Sequence, residues 1–506
     1  VSVSKSGELN AWKNGTATIT IEDNTNHVKK QFQVIVSGGS KGTGVYAVTQ
    51  AKGTTSNNIH LPYASGYYGS VTTAYMNQLS NGDYERVEWV NSKVIVETYS
   101  SDYTLKNKKS IAPELSIFGG YYKGSDANYL VFGESNKEEN DNNEVIRVVK
   151  YDTNWKRISA CSIKGANTYI PFDAGGLDMT EAAGKLYVHT CHEMYQSSDG
   201  YHHQANCTFV VNESSMQLAD AYYDTMNMST GYVSHSFNQR ICSDGSYVYR
   251  VDLGDAYPRG IAYTKTSVNK NIDEPEMYGP IHQIPGSTGQ NYTGYNLGGV
   301  ELSDTNTVVS GSGLNNSISN VWVAVVNNQT GAYSMNWITN YGTASNVRMM
   351  QPKLVKLTGS QFILLWEESE SYPAKYKTKY VLLNADGTTA SKIYTMPLAL
   401  SACDPIVNAK GNVCWYATNN TAPIFVEINP YAAEEVQNKS AGDKTFANST
   451  NTSGNGGNTG DSSDDDSSIG QIGSDEGVSM SGVAHVQTYG NKNASWNNNT
   501  LTLGTT

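Results

Sequence analysis

The chain runs to 506 residues, enough for two to four domains or one large repeat array with flanks, and combines 38% hydrophobic with only 16% charged residues, 47 glycines and 35 tyrosines. Such a composition suits an extracellular β-protein, where β-branched and aromatic side chains fill pleated surfaces, better than a helical cytosolic enzyme. The net charge of −12 argues against nucleic acid or an anionic membrane as partner, because both call for a basic surface; no apolar run approaches the ~20 residues of a membrane span.

In chain order, the first segment predicts short strands. Ala17, Ile19 and Ile21 alternate with Thr16, Thr18 and Thr20, the period of a strand with one buried face. Gly7 and Asn14-Gly15 supply turns, and Phe32-Gln33-Val34-Ile35-Val36 closes the segment. Two or three strands cannot bury a core alone. This stretch, residues 1–38, resembles the C-terminal half of a bacterial immunoglobulin-like domain of group 2, a β-sandwich strung along bacterial surface proteins. The resemblance implies a fragment of a longer Gram-positive surface protein, extracellular or cell-wall associated.

Between about residues 60 and 430 one pattern returns seven times. A short apolar strand recurs at Val87, Leu130, Tyr187, Val248, Val308, Ile363 and Cys414. A second follows each, at Val94, Val148, Phe209, Ile261, Val323, Val381 and Phe425. Gly119-Gly120, Gly175-Gly176 and Gly298-Gly299 precede three of the first strands. Seven all-β units of this length predict a seven-bladed β-propeller, because a lone blade has two faces to bury and a closed ring covers both. The glycine pairs are expected near the axis, where backbones converge. The stretch Tyr67–Tyr75 is expected to begin the ring and to pair with its last blade.

Past Pro430 the character changes. Residues 431–476 read as a flexible acidic linker rich in Ser, Asn, Gly and Asp, with too little apolar surface to offset its ordering entropy. Structure is expected to resume at 477–506. There Gly477-Val478-Ser479-Met480, His485-Val486-Gln487, Trp496 and Gly504-Thr505-Thr506 resemble the start of a clostridial hydrophobic repeat with a conserved tryptophan. The expected architecture is all-β: a propeller flanked by a partial immunoglobulin-like sandwich and, after the linker, a β-rich repeat.

Six cysteines stand at 161, 191, 207, 242, 403 and 414 without a CxxC pair, and buried thiols are the simpler expectation than bridges. Four of nine histidines, His189, His192, His202 and His203, fall within one twenty-residue stretch. No two of the histidines have the HExxH spacing of a metalloprotease, so no metal and no cofactor are expected. In a propeller the loop between second and third strands opens on the same face as the link between blades. That places His192, Tyr195, His202, His203, His235, Asn238, Asp255, Tyr257, Arg259 and Tyr372 around one rim as candidate ligand contacts. Tyrosine faces and amide groups suit sugar or protein ligands. The expectation is a monomeric adhesion protein presenting this face to glycan, mucin or host protein, or alternatively a secreted hydrolase of polysaccharide or peptide using His235, Asp252 and Asp255 as base and orienter. A bland third reading has Asp252 and Asp255 bracing a tight loop with Arg259. Arginine occurs at only seven positions, and the recurring Asp-box turns are missing, so a sialidase finds no support.

Overall fold

The computed structural model describes residues 46–61, 68–223, 234–256, 259–342, 351–370, 375–396 and 398–430, with short strands at 2–3, 9–10, 15–22, 29–37, 347–349, 493–497 and 500–504. Among these residues every regular element is a strand. Blade I is Ala74–Gln78, Tyr84–Val90, Lys93–Tyr99 and Leu105–Ile111, an antiparallel meander read from the axis outward. Blade II is Ile117–Lys123, Asn128–Gly133, Glu144–Tyr151 and Arg157–Lys164. Blade III is Leu177–Ala182, Lys185–Gln196, His202–Asn212 and Gln217–Tyr222, with Thr168–Pro171 extending its second strand's edge. Blade IV is Ser234–Ser243, Tyr247–Ala256, Arg259–Ser267 and Met277–Gln283. Blade V is Tyr295–Leu302, Asn306–Asn315, Ile318–Asn327 and Tyr333–Trp337. Blade VI is Lys353–Lys356, Gln361–Glu370, Lys375–Asn384 and Tyr394–Met396.

Blade VII closes the ring. It takes Ile406–Val407, Val413–Thr418 and Pro423–Ile428 from one end of the ring and its outermost strand, Tyr46–Gln50, from the other. Seven blades therefore form a closed propeller. The closing strand lies earlier in the chain than the expected Tyr67–Tyr75; Ala74 and Tyr75 instead open the innermost strand of blade I. Tyr46 and Val48 alternate with exposed or half-exposed neighbours and cover the blade's apolar edge, whereas Ser70–Thr73 offers only Val71, which packs against the core of blades II and III.

Burial follows position in the blade. Second strands are covered on both faces by neighbouring blades, so Asn128–Gly133 and Val413–Thr418 are buried at every residue. Outermost strands such as Leu105–Ile111 are mostly exposed. The glycine pairs lie along the innermost segments as expected. A Cβ on Gly119 would sit 2.7 Å from Phe172, one on Gly175 2.3 Å from the Cys191 sulfur, and one on Gly298 2.5 Å from the Pro352 carbonyl oxygen. Each is a contact with the next blade or its own second strand that no side chain permits.

The closing seam is locked by charge. Arg86, 1% exposed, donates from Nη1 to Glu97 Oε2 and to the Thr54 carbonyl, both at 2.8 Å, and from Nε to Glu88 Oε2 at 3.1 Å. Tyr416 of blade VII lies beneath the guanidinium and donates its hydroxyl to Glu88 at 3.1 Å. Thr54, on the segment leaving Tyr46–Gln50, gives its backbone N–H to Glu97 at 2.7 Å. One buried cation thus joins blade I, blade VII and the closing segment.

All six cysteines are free thiols. Outside the ring, Gly15–Glu22 and Lys29–Ser37 pair as an antiparallel hairpin. Its second strand pairs in parallel with Thr500–Gly504, which pairs with Asn493–Asn497, so the two end segments share one sheet. The expected linker, 431–476, lies outside the described residues.

Candidate functional site

Alternating strand direction puts the second-to-third-strand loops and the inter-blade links on one face, here called the upper face. The tip at 197–201, the adjoining strand ends Ala256 and Arg259 and likewise Glu370 and Lys375, and the start of Ser234–Ser243 all belong to it. Tyr257 and Tyr372 lie outside the described residues, and so does the side chain of His235. The remaining candidates can be placed, and most serve the scaffold.

The long hairpin of blade III carries the histidines. His192 is wholly buried with Nδ1 2.7 Å from the Thr168 hydroxyl, and burial pushes it down to about 3, so it stays neutral inside the protein. It is a core histidine rather than a ligand contact. Tyr195 donates its hydroxyl to Asp141 at 3.2 Å and accepts from Asn136 at 2.9 Å, tying the hairpin to blade II. His202 stacks on Tyr169 at 3.9 Å with Nδ1 2.8 Å from the Met194 carbonyl, and His203 pairs with Asp199 at 2.8 Å within the same tip. These three remain partly accessible at the rim.

The seam between blades III and IV absorbs the carboxylates. Asp252, 1% exposed, accepts from the Ser236 hydroxyl at 2.9 Å and faces His189 Nε2 at 3.2 Å, while His189 Nδ1 meets Thr208 at 2.9 Å. This Ser-Asp-His chain is sealed between blades, so it braces them and cannot touch an external substrate. Asp255 is likewise fully buried. Asn238, 8% exposed, accepts from the Leu297 N–H at 3.1 Å and so joins blade IV to blade V. The Arg259 guanidinium donates to the carbonyls of Pro285, Gln290 and Tyr292 at 3.1, 2.7 and 2.7 Å. A planar fork of donors suits a loop that turns several carbonyls inward. In blade VI, Glu367 accepts from the Leu61 N–H at 2.9 Å and Glu368 from the Trp366 indole at 2.8 Å, again as braces.

A second set of polar groups lies on the axis. Asp178 of blade III, Arg240 of blade IV, Glu301 of blade V and Tyr75 of blade I all stand on innermost strands. Asp404 immediately precedes the innermost strand of blade VII. Asp178 feels the charges of Arg240 and Asp404, and Glu301 those of Asp178 and Asp404. Blades III, V and VII are not neighbours in the ring, so these charges meet only across its centre.

Neighbouring inner strands hold the set in place. The Ile241 N–H donates to Asp178 Oδ2 at 3.1 Å, and Arg240 Nε to the Gly298 carbonyl at 2.6 Å. Lys353 donates to Asp404 at 2.5 Å and to the Ala402 carbonyl at 3.1 Å. Asp404 keeps 55% of its side chain accessible to solvent. Its surroundings oppose its charge, yet Lys353 and Arg240 outweigh them and hold the carboxyl below the usual range. Burial pushes Glu301 up to about 7 despite Lys356, and raises Asp178 as well. Burial and neighbouring charge thus shift two axial carboxyls in opposite directions.

None of these residues was singled out from the sequence, although a signal was present. Gly175-Gly176-Leu177-Asp178 and Gly298-Gly299-Val300-Glu301 share a Gly-Gly-aliphatic-acid pattern that places a carboxyl on the axis just past the close backbone approach. Among the described residues, no group of three or more His, Cys, Asp or Glu side chains is placed to share a metal ion.

No protein-family model matches the chain, and no curated protein does. Among solved structures it is similar to the β-propeller domain of the Trilobed protease from Pyrococcus furiosus (9% identity, 74% of this chain and 85% of that one, TM-score 0.36). It is also similar to the neuraminidase-like protein of subtype N10 from A/little yellow-shouldered bat/Guatemala/060/2010 (9% identity, 65% and 99%, TM-score 0.38). A third is the Penicillium chrysogenum α-L-arabinanase complexed with arabinobiose (12% identity, 69% and 99%, TM-score 0.35). The chain is a seven-bladed β-propeller. That rests on its own strand pairing; likenesses this distant decide nothing about activity.

Proposed function

We propose that this propeller is a hydrolase acting on polysaccharide at its axis. The observation that carries the reading is the placement of Asp178, Arg240, Glu301 and Asp404 on or beside the innermost strands of four blades, and the opposite shifts of Glu301, raised to about 7, and Asp404, lowered, support it. Cleaving an acetal needs a proton donor for the leaving oxygen and an ionised carboxylate on the reacting carbon's other side. Glu301 suits the first role and Asp404 the second. Arg240 and Asp178 position the pair and set its charge. This replaces the expected His235–Asp252–Asp255 site, because Asp252 and Asp255 are sealed between blades. The immunoglobulin-like and repeat resemblances support an extracellular or wall-associated setting.

The test is release of reducing ends from a panel of polysaccharides by the full chain and by Glu301→Gln and Asp404→Asn. Each substitution is expected to lower turnover about 10²–10⁴-fold while thermal unfolding stays cooperative. Turnover unchanged in both variants removes the axial site. Polysaccharide retention without turnover in the wild type would favour the adhesion reading instead.

A further inference from the structure

Tyr68 and Tyr292 are 45% and 37% exposed on the upper face. Both sit on links that follow a fourth strand: Tyr68 between the closing strand Tyr46–Gln50 and blade I, Tyr292 between blades IV and V. The Tyr68 ring stands edge-on to buried Phe237 at 5.2 Å, and its hydroxyl accepts from Asn291 Nδ2 at 2.9 Å. Behind it, the Gly69 N–H donates to the Ala174 carbonyl at 3.0 Å, and a Cβ on Gly69 would lie 2.0 Å from the Phe237 carbonyl oxygen. On the other side of Asn291, the three carbonyls gathered by Arg259 fix the backbone that carries Tyr292. Two exposed rings are thus held by a scaffold that spends a nearly buried arginine on a link with no regular structure.

We propose that Tyr68 and Tyr292 form a stacking platform for a neutral saccharide. Aromatic faces pack against sugar rings, and rings already fixed in place lose little freedom on binding. The chemistry nearby selects the ligand. The link Ile284–Asn296 and the stretch Tyr68–Thr73 contain no charged residue in a chain of net charge −12. They offer instead exposed Gln290, Asn291 and Ser70 beside the rings. Hydroxyl-rich uncharged polymers match this surface; acidic peptides and uronic acids do not. Phe237, beneath Tyr68, and Arg240, at the axis, lie on one strand roughly 10 Å apart, so a short oligosaccharide reaches from the platform to the axial carboxyls. The platform shares only the saccharide class of ligand with the hydrolase reading.

The experiment is retention of the full chain by xylan, mannan and β-glucan in affinity gels, for wild type, Tyr68→Ala, Tyr292→Ala and Tyr333→Ala. Tyr333 is 57% exposed on the outermost strand of blade V and serves as control. Both platform variants are expected to lose about tenfold in retention, Tyr333→Ala none, with unfolding temperatures unchanged. Equal loss in the control, no loss in the platform variants, or no retention of the wild type by any of the three polymers overturns the proposal. Tyrosine-dependent retention in a protein that releases no product would leave the platform standing and remove the hydrolase; product release without tyrosine dependence does the reverse.

Discussion

The closing seam and the axis are both built from charged residues, and they behave oppositely. At the seam Arg86 meets Glu88 and Glu97, and every named group has partners drawn from three chain segments. On the axis Asp178, Glu301 and Asp404 stand on or beside innermost strands within the electrostatic reach of one another, and burial raises Glu301 to about 7. A buried polar cluster whose partners are complete is scaffold. One whose charges oppose each other beside water retains the free energy that chemistry uses. The difference is one of charge balance and access to water: the seam buries one arginine between two glutamates, whereas the axis leaves Asp404 open to solvent.

The seam should break hardest. Arg86→Met leaves Glu88 and Glu97 buried without their cation, and a loss of about 3–5 kcal/mol is expected in denaturant unfolding; a loss below about 1 kcal/mol would mean the closure rests on the Tyr46–Gln50 ladder alone. Asp252→Ala strands His189 and Ser236 between blades III and IV, with an expected cost of about 1–3 kcal/mol. If Asp252 were catalytic instead, turnover would collapse with little change in stability.

The axis gives the opposite sign. Glu301 has a folded pKa raised above its unfolded value, so the folded state binds more protons between pH ~4.5 and ~7, and stability falls as pH rises through that window. Glu301→Gln is expected to remove about 1–3 kcal/mol of that fall, leaving a flatter stability profile from pH 4.5 to 7. An unaltered slope would place the proton elsewhere; Glu213, raised to about 7 by burial and by Glu181, is another carboxyl in that range. Smallest is Arg259→Lys, which keeps the charge but not the three-carbonyl fork; about 1 kcal/mol is expected, with weaker saccharide retention through Tyr292.

The propeller was legible because each blade's second and third strands are continuous apolar runs between turns. Val87, Leu130, Tyr187, Val248, Val308, Ile363 and Cys414 all fall on second strands. Innermost strands are short and carry glycines and single charges, and outermost ones are polar, so neither stands out from loop sequence. The candidate site failed for a related reason. Polar residues on a second strand look like half-exposed positions, but stacked blades cover both faces, and His192, Asp252 and Asp255 became core. The axial carboxyls are spread over more than two hundred residues, from Asp178 to Asp404, and only the ring brings their strands to one axis. The glycine pairs marked where it does, two positions before Asp178 and Glu301.

Closure by Tyr46–Gln50 also orders events in time. The strand that completes blade VII is synthesised before any residue of the blade it joins, some 380 positions away. Until Pro423–Ile428 emerges, that early strand has no ladder to enter, and blade VII lacks its outer edge. Such distant pairing makes folding slow and exposes an unpaired edge to other chains. Crowded nascent chains should therefore exchange this one strand between molecules more readily than any other segment of the ring.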